Sequence, residues 1–153
     1  MTIRNGMEIR SLEQRKPFNA TVKALSNKFS QTLMKLAVLV TIQNKVLDIE
    51  KMVLACPKIT SLCVYMNKKI SYWFLSKLSK LEHLEIRLRN SVELTEVIDY
   101  CRKLKTLVVY TNSKKLYEMK KLCHVIELNG KLPKLKVKVR LLLSEFELVR
   151  YQL

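Results

Sequence analysis

Glycine and proline are scarce in this chain: two glycines, Gly6 and Gly130, and three prolines stand among 153 residues. So little of either excludes collagen, flexible linkers and turn-rich β-sandwiches, and two glycines so far apart cannot build a glycine-rich phosphate loop. Acidic side chains are also short, 13 against 29 Lys and Arg, for a formal net charge of +16. A field of that sign attracts nucleic acid, acidic protein or anionic lipid without specifying which, and a well-solvated surface reads equally well. Long apolar runs are missing as well. The most apolar stretch, LMKLAVLVTI at 33–42, is about half the length a membrane-spanning helix needs, and Lys35 interrupts it, so no span and no membrane partner are expected.

Cysteine is sparse too. Cys56, Cys63, Cys101 and Cys123 form no CxxC pair and sit in apolar surroundings. The opening MTIRNGMEIRSLEQRK lacks the apolar core of a secretory signal, so a reducing compartment, cytoplasmic or nuclear, with buried free thiols is expected.

What the chain does have is 48% hydrophobic residues set out with a period. Four stretches align: LMKLAVLVTI, LACPKITSLCV at 54–64, LSKLEHLEIRL at 78–88 and CRKLKTLVVYT at 101–111. Their leading apolar positions, Leu36, Ile59, Leu81 and Leu104, are separated by 23, 22 and 23 residues. Apolar residues recur at relative positions one, four and six, as in Ile59, Leu62 and Val64 or Leu81, Leu84 and Ile86. Alternation with period two over the last part of each block predicts strands near 37–41, 60–64, 82–86 and 105–109, with one face buried.

Between the strands the spacing turns helical, through Val46, Ile49, Val53 and Leu54, then Trp73, Phe74, Leu75 and Leu78, then Val92, Val97, Ile98 and Cys101. A fifth unit falls in KLYEMKKLCHVIELNG, where either Leu122 and Val125 or Cys123, Ile126 and Leu128 take the core positions; the second choice completes a strand near 125–128. A single unit cannot bury both its strand face and its helix face, whereas stacked units can. The predicted fold class is α/β, a repeat solenoid with a short parallel sheet on the concave face and helices on the convex face.

These units resemble leucine-rich repeats. LACPKITSL in particular resembles the cysteine-containing repeats of F-box leucine-rich-repeat proteins, in which a helix ends in Cys, often followed by Pro, and leads into an LxxLxL strand. Cys56 with Pro57 fits, and Cys101 in YCRKLKTL stands at the equivalent place 45 residues on. The turn from helix into strand leaves a small apolar space that suits Cys and would crowd Leu. Asn44, Asn67, Asn90 and Asn112 follow one another at intervals of 23, 23 and 22, placed to satisfy backbone groups where the chain leaves each strand.

Residues 1–32 have neither the Leu-Pro start nor the helical trio of an F-box. The expected division is 1–32, an N-terminal segment and helical cap with its helix over 20–35; 33–129, four to five repeats; and 130–153, a basic capping strand. The resemblance implies a non-catalytic protein-interaction module, the substrate-recognition arm of a cullin-type ubiquitin ligase.

In a solenoid of this kind a protein partner docks on the concave strand face, where alternate residues point outward. Three rows are expected across it: Val38, Ser61, His83, Thr106 and Val125; Val40, Cys63, Glu85, Val108 and Glu127; Ile42, Tyr65, Arg87, Tyr110 and Asn129. Tyr and Arg combine large contact area with directed hydrogen bonds, so Tyr65, Arg87 and Tyr110, with His83 and Glu85, form the expected protein-binding set; the competing reading is that the aromatics pair across strands for stability.

The segment KLPKLKVKVRLLL alternates Lys134, Lys136, Lys138 and Arg140 with apolar residues. It reads as an edge strand protected by lysine, or as a basic stripe for nucleic acid or another polyanion. No enzyme is expected: His83 has no specified nucleophile beside it, and His124 next to Cys123 falls short of a four-ligand metal set. No cofactor is expected either.

Overall fold

A computed structural model describes residues 6–11, 27–28, 31–40, 49–66, 71–128 and 135–141. In chain order the elements are β1 (Gly6–Ser11), β2 (Lys35–Val40), α1 (Ile49–Leu54), β3 (Ser61–Met66), a 3-10 helix (Trp73–Lys77), β4 (His83–Arg87), α2 (Ser91–Tyr100), β5 (Thr106–Thr111), α3 (Ser113–Leu128) and β6 (Lys136–Leu141). The chain is mixed α/β. Among the described residues six strands lie side by side in sequence order, and every neighbouring pair is parallel.

Period-two alternation decides which strand residues meet the helices. Leu36, Leu62, Val64, Leu84, Ile86, Leu107 and Val109 are all at or below 2% exposed. They share one core with Val53 of α1, Phe74 and Leu75 of the 3-10 helix, Leu94, Val97 and Ile98 of α2, and Met119 and Cys123 of α3. Each such side chain contributes about 1.5–3 kcal/mol on burial, which is why these positions hold Leu, Ile or Val in unit after unit.

Successive units are joined by the same backbone contacts. The Met34 carbonyl accepts the Thr60 and Ser61 amides at 2.8 and 3.1 Å, the Thr60 carbonyl those of Glu82 and His83 at 2.9 and 3.0 Å, and the Glu82 carbonyl those of Lys105 and Thr106 at 2.8 and 3.0 Å. The Lys105 carbonyl in turn accepts the Lys136 amide at 2.8 Å. Turns into the strands also match: Ile59 donates to Cys56 (3.3 Å), Leu81 to Leu78 (3.0 Å) and Leu104 to Cys101 (3.2 Å). Cys56 and Cys101 are buried at corresponding turns, and neither is in a disulfide. Leu78 fills the same place in the unit between them at 5% exposed, so the space is not reserved for a small side chain; the surrounding core adapts to the larger one.

Helix starts explain part of the asparagine series. Asn90 caps α2, its Oδ1 accepting the Glu93 amide at 3.0 Å, and Asn112 caps α3, its Oδ1 accepting the Lys115 amide at 3.1 Å. These bonds satisfy amides that a helix N-terminus otherwise leaves open. Asn44 and Asn67 lie outside the described residues.

Three features depart from the sequence reading. First, Leu36 pairs with Leu62, not with a position equivalent to Ile59, so the first unit is shifted by three residues. LMKLAVL offers two frames with leucines three apart, Leu33–Leu36 and Leu36–Leu39, and the fold uses the first, burying Leu33 (4%) and Leu36 (2%). Second, the segment 125–128 is helical, the last turn of α3. Met119, Leu122, Cys123 and Ile126 form the core-facing stripe of that helix, a 3.6-residue spacing with no Gly or Pro to end it; the next strand is β6. Third, β1 adds a strand before the first repeat. Of the helix expected over 20–35, residues 27–28 are helical, residues 31–32 turn, and the chain is extended from Lys35.

Candidate functional site

The sheet face away from the helices carries three rows fixed by the pairing. They run Lys35, Ser61, His83, Thr106, Lys136; then Ala37, Cys63, Glu85, Val108, Lys138; then Tyr65, Arg87, Tyr110 and Arg140. The three-residue shift of the first unit, an odd number, exchanges the faces, so Lys35 and Ala37 take the places expected for Val38 and Val40 in these rows. Ile42 and Asn129 lie outside the described residues, and Val125 and Glu127 belong to α3. Among the described residues no helix packs on this face.

Tyr65, Val108 and Tyr110 form a second small cluster, with Cys63 against it. Tyr65 is 3% and Tyr110 7% exposed, so both rings present little area to a partner. Arg87 lies over the Tyr65 ring, its guanidinium 5.4 Å from the centroid, a cation–π contact. The Tyr110 hydroxyl donates to Glu85 Oε2 at 3.0 Å and accepts from Arg140 Nη1 at 3.3 Å. Burial first, then the neighbouring Glu85 carboxylate, pushes the Tyr110 phenol above its ordinary value. The aromatics therefore join neighbouring strands and hold Glu85 and Arg140 in fixed positions.

The face is more accessible at the strand starts and along β6. A hollow of about 520 Å³ is lined at the strand starts by Met34, Lys35, Thr60, Ser61, Glu82, His83, Glu85 and Thr106, with Leu84 and Val108. His83 is exposed, and Ser61 is its register partner, yet no hydrogen bond joins the two side chains. Beside the hollow Lys105 Nζ pairs with Glu82 Oε1 at 2.8 Å, and that hydrogen bond holds the Glu82 carboxyl below the usual range. Lys136, Lys138 and Arg140, exposed, line the β6 end of the same face. Two sets expected as separate surfaces, the protein-binding row and the basic stripe, thus form one surface. Lys134 lies outside the described residues.

Sequence reasoning missed Glu93. It is 3% exposed at the start of α2, where Oε2 accepts the Arg89 amide (2.8 Å) and the Tyr72 hydroxyl (3.3 Å), and Oε1 accepts Arg89 Nε (3.2 Å). Desolvation, then the Glu93 charge, pushes the Tyr72 phenol far up. The pattern Asn90-x-x-Glu93, a polar cap followed three residues on by Glu, was the available signal. This carboxylate ties one unit to the preceding one and lies away from the open face.

On α3 Cys123 is buried while His124 is exposed, so the two point apart. Among the described residues no group of three or more His, Cys, Asp or Glu stands together to hold a metal ion, and no helix is long and apolar enough to cross a membrane. No family model, curated protein or solved structure matches the chain.

Proposed function

We propose that the chain is a leucine-rich-repeat-like solenoid acting as a non-catalytic protein-interaction module, with its partner on the open face of the sheet. The repeated carbonyl contacts of Met34, Thr60, Glu82 and Lys105 support the solenoid reading, because each stacks one unit on the next in the same way. The observation that carries the binding reading is the row Lys35, Ser61, His83, Thr106, Lys136: polar or charged in each of β2 to β6, exposed or half-buried, with its first four members lining a hollow of about 520 Å³. Small hydroxyls, an imidazole and ammonium groups suit a polar, partner-specific surface. By its resemblance to F-box leucine-rich-repeat proteins the module takes the place of a substrate-recognition arm in a cullin-type ubiquitin ligase.

A photo-crosslinking residue at His83, compared with one at the exposed Lys120 of α3, tests the surface. The expected result is a defined protein adduct at His83 that is absent at Lys120. Equal capture at both positions overturns the reading.

Nucleic acid or another polyanion is the second reading, favoured by Lys136, Lys138 and Arg140 lying on this same face. It requires binding to RNA or DNA that falls steeply with salt and is lost on charge reversal at Lys136 and Lys138.

A further inference from the structure

Among the described residues β6 is the last strand of the sheet, and no strand pairs with its outer side. The Lys136 amide points inward, to the Lys105 carbonyl at 2.8 Å. Successive amides of an extended strand point to opposite sides, so those of Val137 and Val139 point outward, the open row of donors and acceptors that an edge strand presents. Side chains on this strand are sorted as sharply as its backbone. Val137 and Val139 pack against the core, while Lys136, Lys138 and Arg140 stand exposed beside Thr106, Val108 and Tyr110.

Neither lysine has an ion-pair partner among the described residues. Arg140 is steered by its bond to the Tyr110 hydroxyl. Lysines on an edge ordinarily repel a second strand, but the sign of that effect depends on the strand that arrives. A second copy of β6 is repelled; an acidic strand is attracted. The opposite edge, β1, reads GMEIRS with one acid and one base and makes no such distinction.

We propose that β6 docks an extended acidic segment of a protein partner, which adds as a further strand and sets carboxylates at alternate positions against Lys136, Lys138 and Arg140. This rests on the reading of the chain as a protein-interaction module. Alternate residues of any strand are about 6.6–6.8 Å apart, so an added strand repeats its carboxylates at the same interval as the three cations. Main-chain bonds to the Val137 and Val139 edge hold the segment, and the charge alternation selects it. A nucleic acid fits less well. It has no backbone to continue the sheet, the Tyr65 and Tyr110 rings that could stack on bases are buried, and Glu82 and Glu85 line the adjacent hollow.

The test titrates the full chain with three labelled probes: a peptide alternating Glu and Thr, a peptide of the same composition with its glutamates in one block, and a single-stranded oligonucleotide of equal charge. Fluorescence anisotropy reads binding and amide hydrogen exchange reads β6. The alternating peptide is expected to bind about tenfold more tightly than the block peptide, as a few exposed ion pairs allow, and to slow exchange at Val137 and Val139. The double variant K136E/K138E loses about tenfold in affinity for it with an unchanged melting temperature. Equal binding of all three probes without amide protection overturns the docking edge in favour of a plain polyanion field. Failure of the alternating peptide to bind, with the His83 cross-link to a protein retained, overturns it too and leaves the interaction-module reading standing.

Discussion

The two faces of the sheet follow different rules. Toward the helices the rows are uniform: Leu36, Leu62, Leu84, Leu107 and Val137 in one, Val64, Ile86, Val109 and Val139 in the next. On the open face the rows change from unit to unit, from Tyr65 and Cys63 through His83 and Glu85 to Lys136 and Arg140. Contact with a helix leaves only apolar side chains of similar volume acceptable. A face without that contact can vary in size, charge and hydrogen bonding from one strand to the next. Even there the centre is partly closed, because Tyr65, Val108 and Tyr110 bury one another.

Side-chain truncation separates the two faces most visibly. Leu84→Ala or Leu107→Ala removes a side chain at or below 1% exposure and is expected to cost about 2–5 kcal/mol. His83→Ala, one residue before Leu84 on the other face, is expected to stay within about 0.5 kcal/mol of the parent. Urea denaturation of the three variants measures this. Comparable losses at His83 and Leu84 would mean that the open face is also covered.

Glu93 ranks next. Replacing it with Ala leaves the Arg89 amide and the Tyr72 hydroxyl without their acceptor, an expected cost of about 1–3 kcal/mol. Tyr72→Phe takes away one donor and is expected to cost about 0.5–1.5 kcal/mol. Because both act on one carboxylate, the double variant should lose less than the two single losses added together; strict additivity in a chemical melt would show that the Tyr72–Glu93 bond contributes nothing.

Legibility followed the same division between faces. The helix-facing positions Ile59, Leu62, Val64, Leu81, Leu84, Ile86, Leu104, Leu107 and Val109 stand out in the sequence because burial imposes their type. The frame of the first unit did not, since Leu33, Leu36 and Leu39 permit two choices that differ by an odd number and so exchange the faces. KLCHVIEL satisfied a strand pattern and a helix pattern equally; the helix prevails because Asn112 starts it and nothing before Leu128 stops it. β6 was legible as a strand from KVKVRL, but its place as the next parallel strand was hidden, because the leucine found two residues before His83 and Thr106 has no counterpart two residues before Lys136 in the sequence. On the open face residue type says little about exposure. Tyr65 and Tyr110 look like binding anchors in sequence, and only their mutual packing shows how little of either ring is accessible.

The buried turn cysteines give a pH-dependent contrast with the accessible face. Desolvation raises the Cys56 thiol above its ordinary value and pushes Cys101 up to about 12, from a reference of 9.0. The folded state then holds its thiol protons where the unfolded chain has released them. Stability is fully present below about pH 9 and falls as pH rises from there toward about 12. Denaturant melts across that interval should show the decline, and Cys101→Ala should flatten it; an identical slope in the variant would remove Cys101 as its source. In native protein both thiols should react with a thiol reagent more slowly than the half-buried Cys63.

The smallest expected effect belongs to the exposed pair between Glu82 and Lys105, which crosses from one unit to the next beside the hollow. Lys105 holds the Glu82 carboxyl below its reference of 4.5, so the folded chain binds that proton less readily than the unfolded chain does. The contribution is present at neutral pH, above the unfolded value, and disappears as pH falls through the lowered folded value. Glu82→Gln should therefore lower stability slightly at pH 7, leave it unchanged at strongly acid pH, and make the acid limb of the pH profile shallower. Because both side chains are in solvent, the difference from the parent should vanish in about 1 M salt, where screening acts within about 3 Å. A difference that persists at high salt would mean that Glu82 acts through packing against Thr60 and His83 and not through charge, and would make the strand starts of the open face part of the structural core.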